Sequence, residues 1–188
     1  MHTLILVACV FACASAFPDP STTTEPPPTV EYAMGFVATS EQIEAIRSKG
    51  RVFTVSANEV IPDSYDHREQ GHVTPVKSQG HCGSCWAFSA TGTLESQVLI
   101  KFGKNVSLSE QNLVDCVTKD SGCHGGMPSD AFDYVKNNGG LDSEESYPYE
   151  AKQESQCEFV PTGVEVDDSG YFVVPEGDEE ALKSAKFE

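Results

Sequence analysis

The segment Gln79-Gly80-His81-Cys82-Gly83-Ser84-Cys85-Trp86-Ala87-Phe88 brings together two cysteines, a glycine-bearing turn and the start of an apolar run. A cysteine at the N-terminus of a helix lies at the positive end of the helix dipole, which favours thiolate over thiol. The thiolate is the attacking form of cysteine, so covalent chemistry is expected at this point. The pair Cys82-x-x-Cys85 admits three readings. A thioredoxin-like redox pair needs a βαβ pattern around it. The preceding Val73-Thr74-Pro75-Val76-Lys77 makes a poor buried strand, because Pro75 cannot donate to a ladder. Half of a zinc site would need a second close pair, and the separation of Cys116 from Cys123 does not match the usual short ligand spacing. The third reading is one structural cysteine beside one nucleophile.

The compartment bears on that choice. Residues 1–16 read as a secretion signal: Leu4 to Ala14 is an apolar core, and Ala14-Ser15-Ala16 has the small-x-small cleavage pattern. Only His2 precedes the apolar run, where a positive charge is usual. The core is shorter than the roughly 20 residues a membrane-spanning helix needs. Of seven cysteines, Cys9 and Cys13 fall in the signal, leaving Cys82, Cys85, Cys116, Cys123 and Cys157. An odd set in an oxidising compartment suggests two disulfides and one remaining thiol, which either does chemistry or cross-links two chains. The net charge of −17 argues against nucleic acid or an anionic membrane as partner. It fits a secreted or lysosomal protein, since an acidic compartment relieves carboxylate repulsion. Asn105-Val106-Ser107 is an N-glycosylation acceptor where exposed. No metal site and no cofactor are expected.

Several elements must position this chemistry. Residues 17–30, with Pro18, Pro20, a Ser-Thr run and Pro26-Pro27-Pro28, read as a linker without a core. Thr39-Ser40-Glu41-Gln42 is a capping pattern opening a short helix through Ile43 and Ile46 that Gly50 ends, and Arg51 to Val55 reads as a short strand. Cys85 to Phe102 carries Trp86, Phe88, Leu94, Val98, Leu99 and Phe102 among small residues, which predicts a long, mostly buried helix closed by Gly103. Ser107-Leu108-Ser109-Glu110 predicts a capping box opening a helix to Cys116. Met127 to Val135 predicts a third helix ending at Asn138-Gly139-Gly140. Gly170 to Val174 reads as a strand, and Glu179 to Phe187 as an amphipathic helix with Asp178 as N-cap.

The residues Cys82-Gly83-Ser84-Cys85-Trp86 fit the local signature of the papain and cathepsin cysteine. Further motifs follow in order: Leu108 to Cys116 (Leu-Ser-Glu-Gln-Asn-Leu-Val-Asp-Cys), Gly122-Cys123-His124-Gly125-Gly126, and Asn138 to Glu150. From Ile61 to about Phe187 the chain therefore resembles a papain-family cysteine protease, most of all one of cathepsin L type. The resemblance implies an α+β fold with a helical left domain and only the start of a β-rich right domain. The implied organisation is a signal at 1–16, a short propeptide-like segment at 17–60 and a peptidase domain at 61–188, incomplete at its C-terminus.

By residue, the resemblance implies Cys85 as nucleophile and Gln79 as a side-chain donor to the oxyanion hole beside the Cys85 N–H. Donors preorganised for a developing oxyanion are each worth about 3–4 kcal/mol. Gly125 and Gly126 correspond to the segment that pairs with an extended substrate backbone, and Gly83 to an adjacent subsite. Met127 and Pro128 would line the pocket for the substrate residue two before the cut, favouring peptides with an apolar penultimate residue. The implied disulfides are Cys82 with Cys123 and Cys116 with Cys157, which leaves Cys85 as the odd thiol. Cystatin-like inhibitors are implied partners. The family's His and Asn lie about 130–150 residues after the cysteine, beyond Glu188. His67, His72, His81 and His124 do not match that position, and His67 stands where the family usually has an aromatic residue. The chain is thus expected to be a cysteine peptidase by family, impaired or inactive as it stands. The competing expectations are a catalytically dead secreted binding or decoy protein and a non-functional fragment.

Overall fold

The computed structural model describes residues 5–6, 50–54 and 62–187. Its centre is three helices. Helix α1 (Cys85–Phe102) presents Trp86, Ala90, Leu94 and Val98 inward at helical spacing, and all are buried. Gly103 ends it in a left-handed conformation (φ 62°), and its N–H donates to Leu99 O. Helix α2 (Glu110–Cys116) adds Leu113 and Val114, and helix α3 (Pro128–Asn138) adds Ala131, Phe132 and Val135. Pro128 opens α3, where a missing N–H costs nothing, and Gly139 closes it at φ 76°. Val106, Leu108, Val117, Leu141 and Tyr171 join the cluster from outside the helices. Each large apolar side chain buried there contributes about 1.5–3 kcal/mol.

The strands are short. Strand β1 (Ile5–Leu6) and β2 (Arg51–Val52) both pair in parallel with β5 (Tyr171–Val173), in the order β1-β5-β2. Strand β3 (Leu141–Asp142) pairs antiparallel with β4 (Val164–Val166). A smaller apolar cluster joins Phe53 to Ala181 and Ala185 of helix α4 (Glu179–Phe187), with Phe172 edge-on to Phe53 at 6.3 Å. Asp178 caps α4 as expected, its Oδ1 accepting the Ala181 N–H at 2.9 Å. The mixture of buried helices and small sheets is the expected α+β class.

Three readings need correction or restriction. Helix α2 begins at Glu110 with Ser109, not Ser107, as N-cap: Ser109 Oγ accepts the Asn112 N–H at 2.9 Å. The capping box fails because residues 107–108 are drawn into pairing. Ser107 O accepts the Glu144 N–H at 2.8 Å and Leu108 forms a bridge with Ser143. Glu110, the expected box partner, instead turns its carboxylate to Lys77 and Thr91. The strand expected over Arg51 to Val55 is the two residues of β2, with Val55 outside the described residues. The helix expected to open at Thr39 lies outside them too, as do the linker and the signal cleavage pattern.

Two buried glutamates fasten the segment before the site to the helical core. Glu95 and Glu110 are each 1% exposed. Glu95 accepts from Lys77 Nζ (2.8 Å), the Leu108 N–H (2.8 Å) and Thr74 Oγ1 (2.7 Å). Lys77 Nζ also pairs with Glu110. Burial works against the Lys77 charge, but its bonds to Glu110 and Glu95 prevail and raise its pKa; burial pushes the Glu110 carboxyl up. A buried charge is tolerated only with such pairing.

Candidate active site

Cys85 is the first residue of α1, half-buried and outside any disulfide. The first turn of the helix contains no acidic residue, so α1 itself sets no carboxylate against a thiolate at the positive end of its dipole. Cys82 is bonded to Cys123 and Cys116 to Cys157, the two pairings the resemblance implied. This removes the redox and zinc readings of Cys82-x-x-Cys85, since Cys82, Cys116 and Cys123 are all consumed in bridges.

The Cys82–Cys123 bridge lays two loops against each other. The Gly83 N–H donates to Cys123 O at 2.7 Å, and a Cβ on Gly83 would come within 2.5 Å of that oxygen. Close backbone approach is therefore what requires glycine at this position. Gly125 and Gly126 follow at once and are buried, with Gly125 at φ 118°. Met127 is the N-cap of α3 and only 9% exposed, and Pro128 is buried behind it. Gln79 is half-buried, and its Nε2 donates to Cys82 O at 2.6 Å. An amide nitrogen has two hydrogens, so this bond leaves one for another acceptor.

Two braces escaped the sequence reading. Trp86 Nε1 donates to Gly122 O at 3.1 Å, and its ring backs Gly126, where an added Cβ would lie 2.6 Å from Trp86 Cδ2. Tyr149 OH donates to Gln79 O at 2.8 Å and lies 2.6 Å from Ser84 Oγ, while Phe88 meets the Tyr149 ring edge-on at 4.9 Å. Tyr149 thus holds both ends of the Gln79–Cys85 turn. The motif Tyr147-Pro148-Tyr149 signals the family, but no local pattern signals this contact. His81 and His124 are exposed, and His67 Nε2 is 2.7 Å from Lys186 O at the end of α4. Asn105 is exposed, as a glycosylation acceptor must be. No helix among the described residues is long and apolar enough to cross a membrane.

Residues 61–187 match the family described as papain family cysteine protease. A cathepsin L-like peptidase of Aedes aegypti is 53% identical over 161 residues, which are 83% of this chain and 47% of the relative. Mouse procathepsin L is 53% identical over 138 residues, 72% of this chain and 41% of the relative. The digestive procathepsin L2 proteinase of Tenebrio molitor larval midgut superposes with a TM-score of 0.69 at 45% identity, covering 73% of this chain and 46% of that one. The chain spans less than half the length of the curated relatives it matches. By motif order, disulfide pattern, fold and these similarities, the chain belongs to the papain family of cysteine proteases.

Proposed function

We propose that residues 61–187 form the nucleophile-bearing half of a cysteine peptidase site of cathepsin L type, in which the Cys85 thiolate attacks a peptide carbonyl. The observation that carries this reading is Cys85 at the head of an 18-residue helix, outside both disulfides, beside a glycine-lined wall fixed by the Cys82–Cys123 bridge. The Cys85 N–H and the second Nε2 hydrogen of Gln79 would receive the oxyanion. Gly125 and Gly126 would meet the substrate backbone, with Gly83 in the neighbouring subsite. Met127 and Pro128 would favour an apolar side chain two residues before the cut. The protein would be made with a secretion signal as a zymogen, glycosylated at Asn105 and sent to the lysosome or the extracellular space.

The cleavage also needs a proton for the leaving amine, and loss of general acid–base catalysis costs about 10²–10⁴-fold. None of His67, His72, His81 and His124 matches the family's base, so this chain by itself should turn over little peptide. Hydrolysis of a fluorogenic peptide with an apolar penultimate residue tests this. Weak or no release is expected. Robust turnover that vanishes in Cys85→Ser would show that a base is supplied within these residues.

A further inference from the structure

Beneath the glycine wall lies a carboxylate that the reaction does not use. Asp120 sits on the loop between α2 and the Cys123 bridge, and its Oδ1 accepts the Met127 N–H at 3.1 Å. Its Cγ would be 2.6 Å from a Cβ on Gly126, so the side chain packs directly under that backbone. The other oxygen, Oδ2, is buried without a hydrogen-bond partner among the described residues. The loop is closed from the far side as well, the Ser121 N–H donating to Gly125 O at 2.9 Å. Asp120 and Ser121 therefore hold the Gly125–Met127 segment at both ends, through the Gly125 carbonyl and the Met127 N–H, with the Asp120 side chain packed under Gly126 between them.

We propose that Asp120 is a positioning residue for the Gly125–Met127 backbone, and that it makes the firmness of this peptide-facing segment depend on acidity. The inference rests on the peptide-groove reading above. A buried carboxyl with one unsatisfied oxygen is held at lower cost when protonated than when charged. The groups facing it are few. Trp86 of α1 is apolar on that side. Asp130 of α3 adds like charge. Lys119, on the same loop, is drawn toward Asp130 (3.3 Å) and Asp133 (3.8 Å). Burial, then the Asp130 charge, push the Asp120 carboxyl up to about 7 against the pull of the Met127 N–H and Lys119. The clamped segment thus binds the proton more tightly than an opened one, where the carboxyl returns toward 3.8. Clamping is strongest at acid pH and weakens as pH rises toward 7.

Hydrogen exchange at the Met127 amide of the 188-residue chain reads the clamp without any peptide. After correction for intrinsic rates, wild-type protection should fall between about pH 5 and about pH 8. Asp120→Asn keeps an acceptor for the Met127 N–H and cannot ionise, so it should protect Met127 at both pH values with no trend. Asp120→Ala should lower protection about ten- to hundred-fold. Flat wild-type protection would overturn the proposal, as would an Asp120→Asn variant that keeps the wild-type trend. Should the Ala variant fail to fold, the Asn variant still decides. The peptide reading is scored separately, by the rate at which a peptidyl chloromethyl ketone alkylates Cys85 relative to iodoacetamide. A ratio near one in the wild type removes the groove and leaves the exchange result to judge the clamp.

Discussion

The helical region from Lys77 to Gly140 and the strand region from Leu141 to Phe187 both hold buried oxygens without a partner among the described residues, Glu110 Oε2 and Asp120 Oδ2 in the first among them. They differ in how firmly their elements are cross-linked. In the first, both Glu95 oxygens have partners, and Lys77 joins Glu95 to Glu110 across two elements. In the second, Asp168 is 7% exposed with Oδ2 lacking a partner among the described residues, and its strands are two or three residues long. The disulfides divide likewise. Cys82–Cys123 lies wholly in the helical region, whereas Cys116–Cys157 ties the second region back to the first. The lesson is that the part holding the reactive thiol is over-determined. A nucleophile must be held within a fraction of an ångström, and redundant packing, bridge and ion pairs supply that rigidity.

The contrast can be broken most strongly at Trp86. Trp86→Ala removes a nearly fully buried ring together with the bond to Gly122 O and should cost about 3–5 kcal/mol in urea unfolding. A loss below about 1 kcal/mol would mean that the helical region is not the stability centre. Next comes Glu95→Ala, which orphans the buried Leu108 N–H and leaves Lys77 paired with Glu110 alone, at about 1–3 kcal/mol. The exposed Lys104–Glu165 pair reaches between the two regions, and Lys104→Ala there should cost no more than about 1 kcal/mol. Equal costs would erase the distinction drawn from burial.

The strand region carries a pH dependence of its own, with the same sign as that of Asp120 in the helical region. Burial pushes the Asp168 carboxyl up to about 6 from 3.8, with the Gly170 N–H pulling against it. The folded state holds that proton more tightly than the unfolded chain, so its stabilising effect is complete below about pH 4 and lost as pH rises through about 6. Asp168→Asn keeps an acceptor for the Gly170 N–H. It should melt with the wild type at about pH 4 and above it at about pH 8, in thermal scans at both values. A variant that melts lower at both would show that the carboxylate itself is needed.

Much of this was legible in the residues because it is encoded locally. Trp86, Leu94 and Val98, with Gly103 behind them, mark α1, although Phe102 at its end is 66% exposed, and Asp178 announces the start of α4. The odd cysteine follows from parity, and its partners' pairing from resemblance. What could not be read depends on contacts distant in sequence. The start of α2 shifted from Ser107 to Ser109 because residues near 143 pair with it. The two-residue β3 and the strand β4 carry no period long enough to detect. Tyr149 reaches Gln79 across 70 positions, and Asp120 reveals itself only once Gly126 is seen lying on it.

The central claim is that Cys85 is a nucleophile set against a peptide-binding wall, and adduct mapping of the native 188-residue chain tests it most directly. A peptidyl chloromethyl ketone with an apolar penultimate residue should form one adduct, at Cys85, and react faster than iodoacetamide. Asp120 and Trp86 variants that loosen the wall should slow the peptidyl probe and leave iodoacetamide unaffected. Adducts at Cys82, Cys116, Cys123 or Cys157, or equal rates for the two probes at Cys85, would contradict the account.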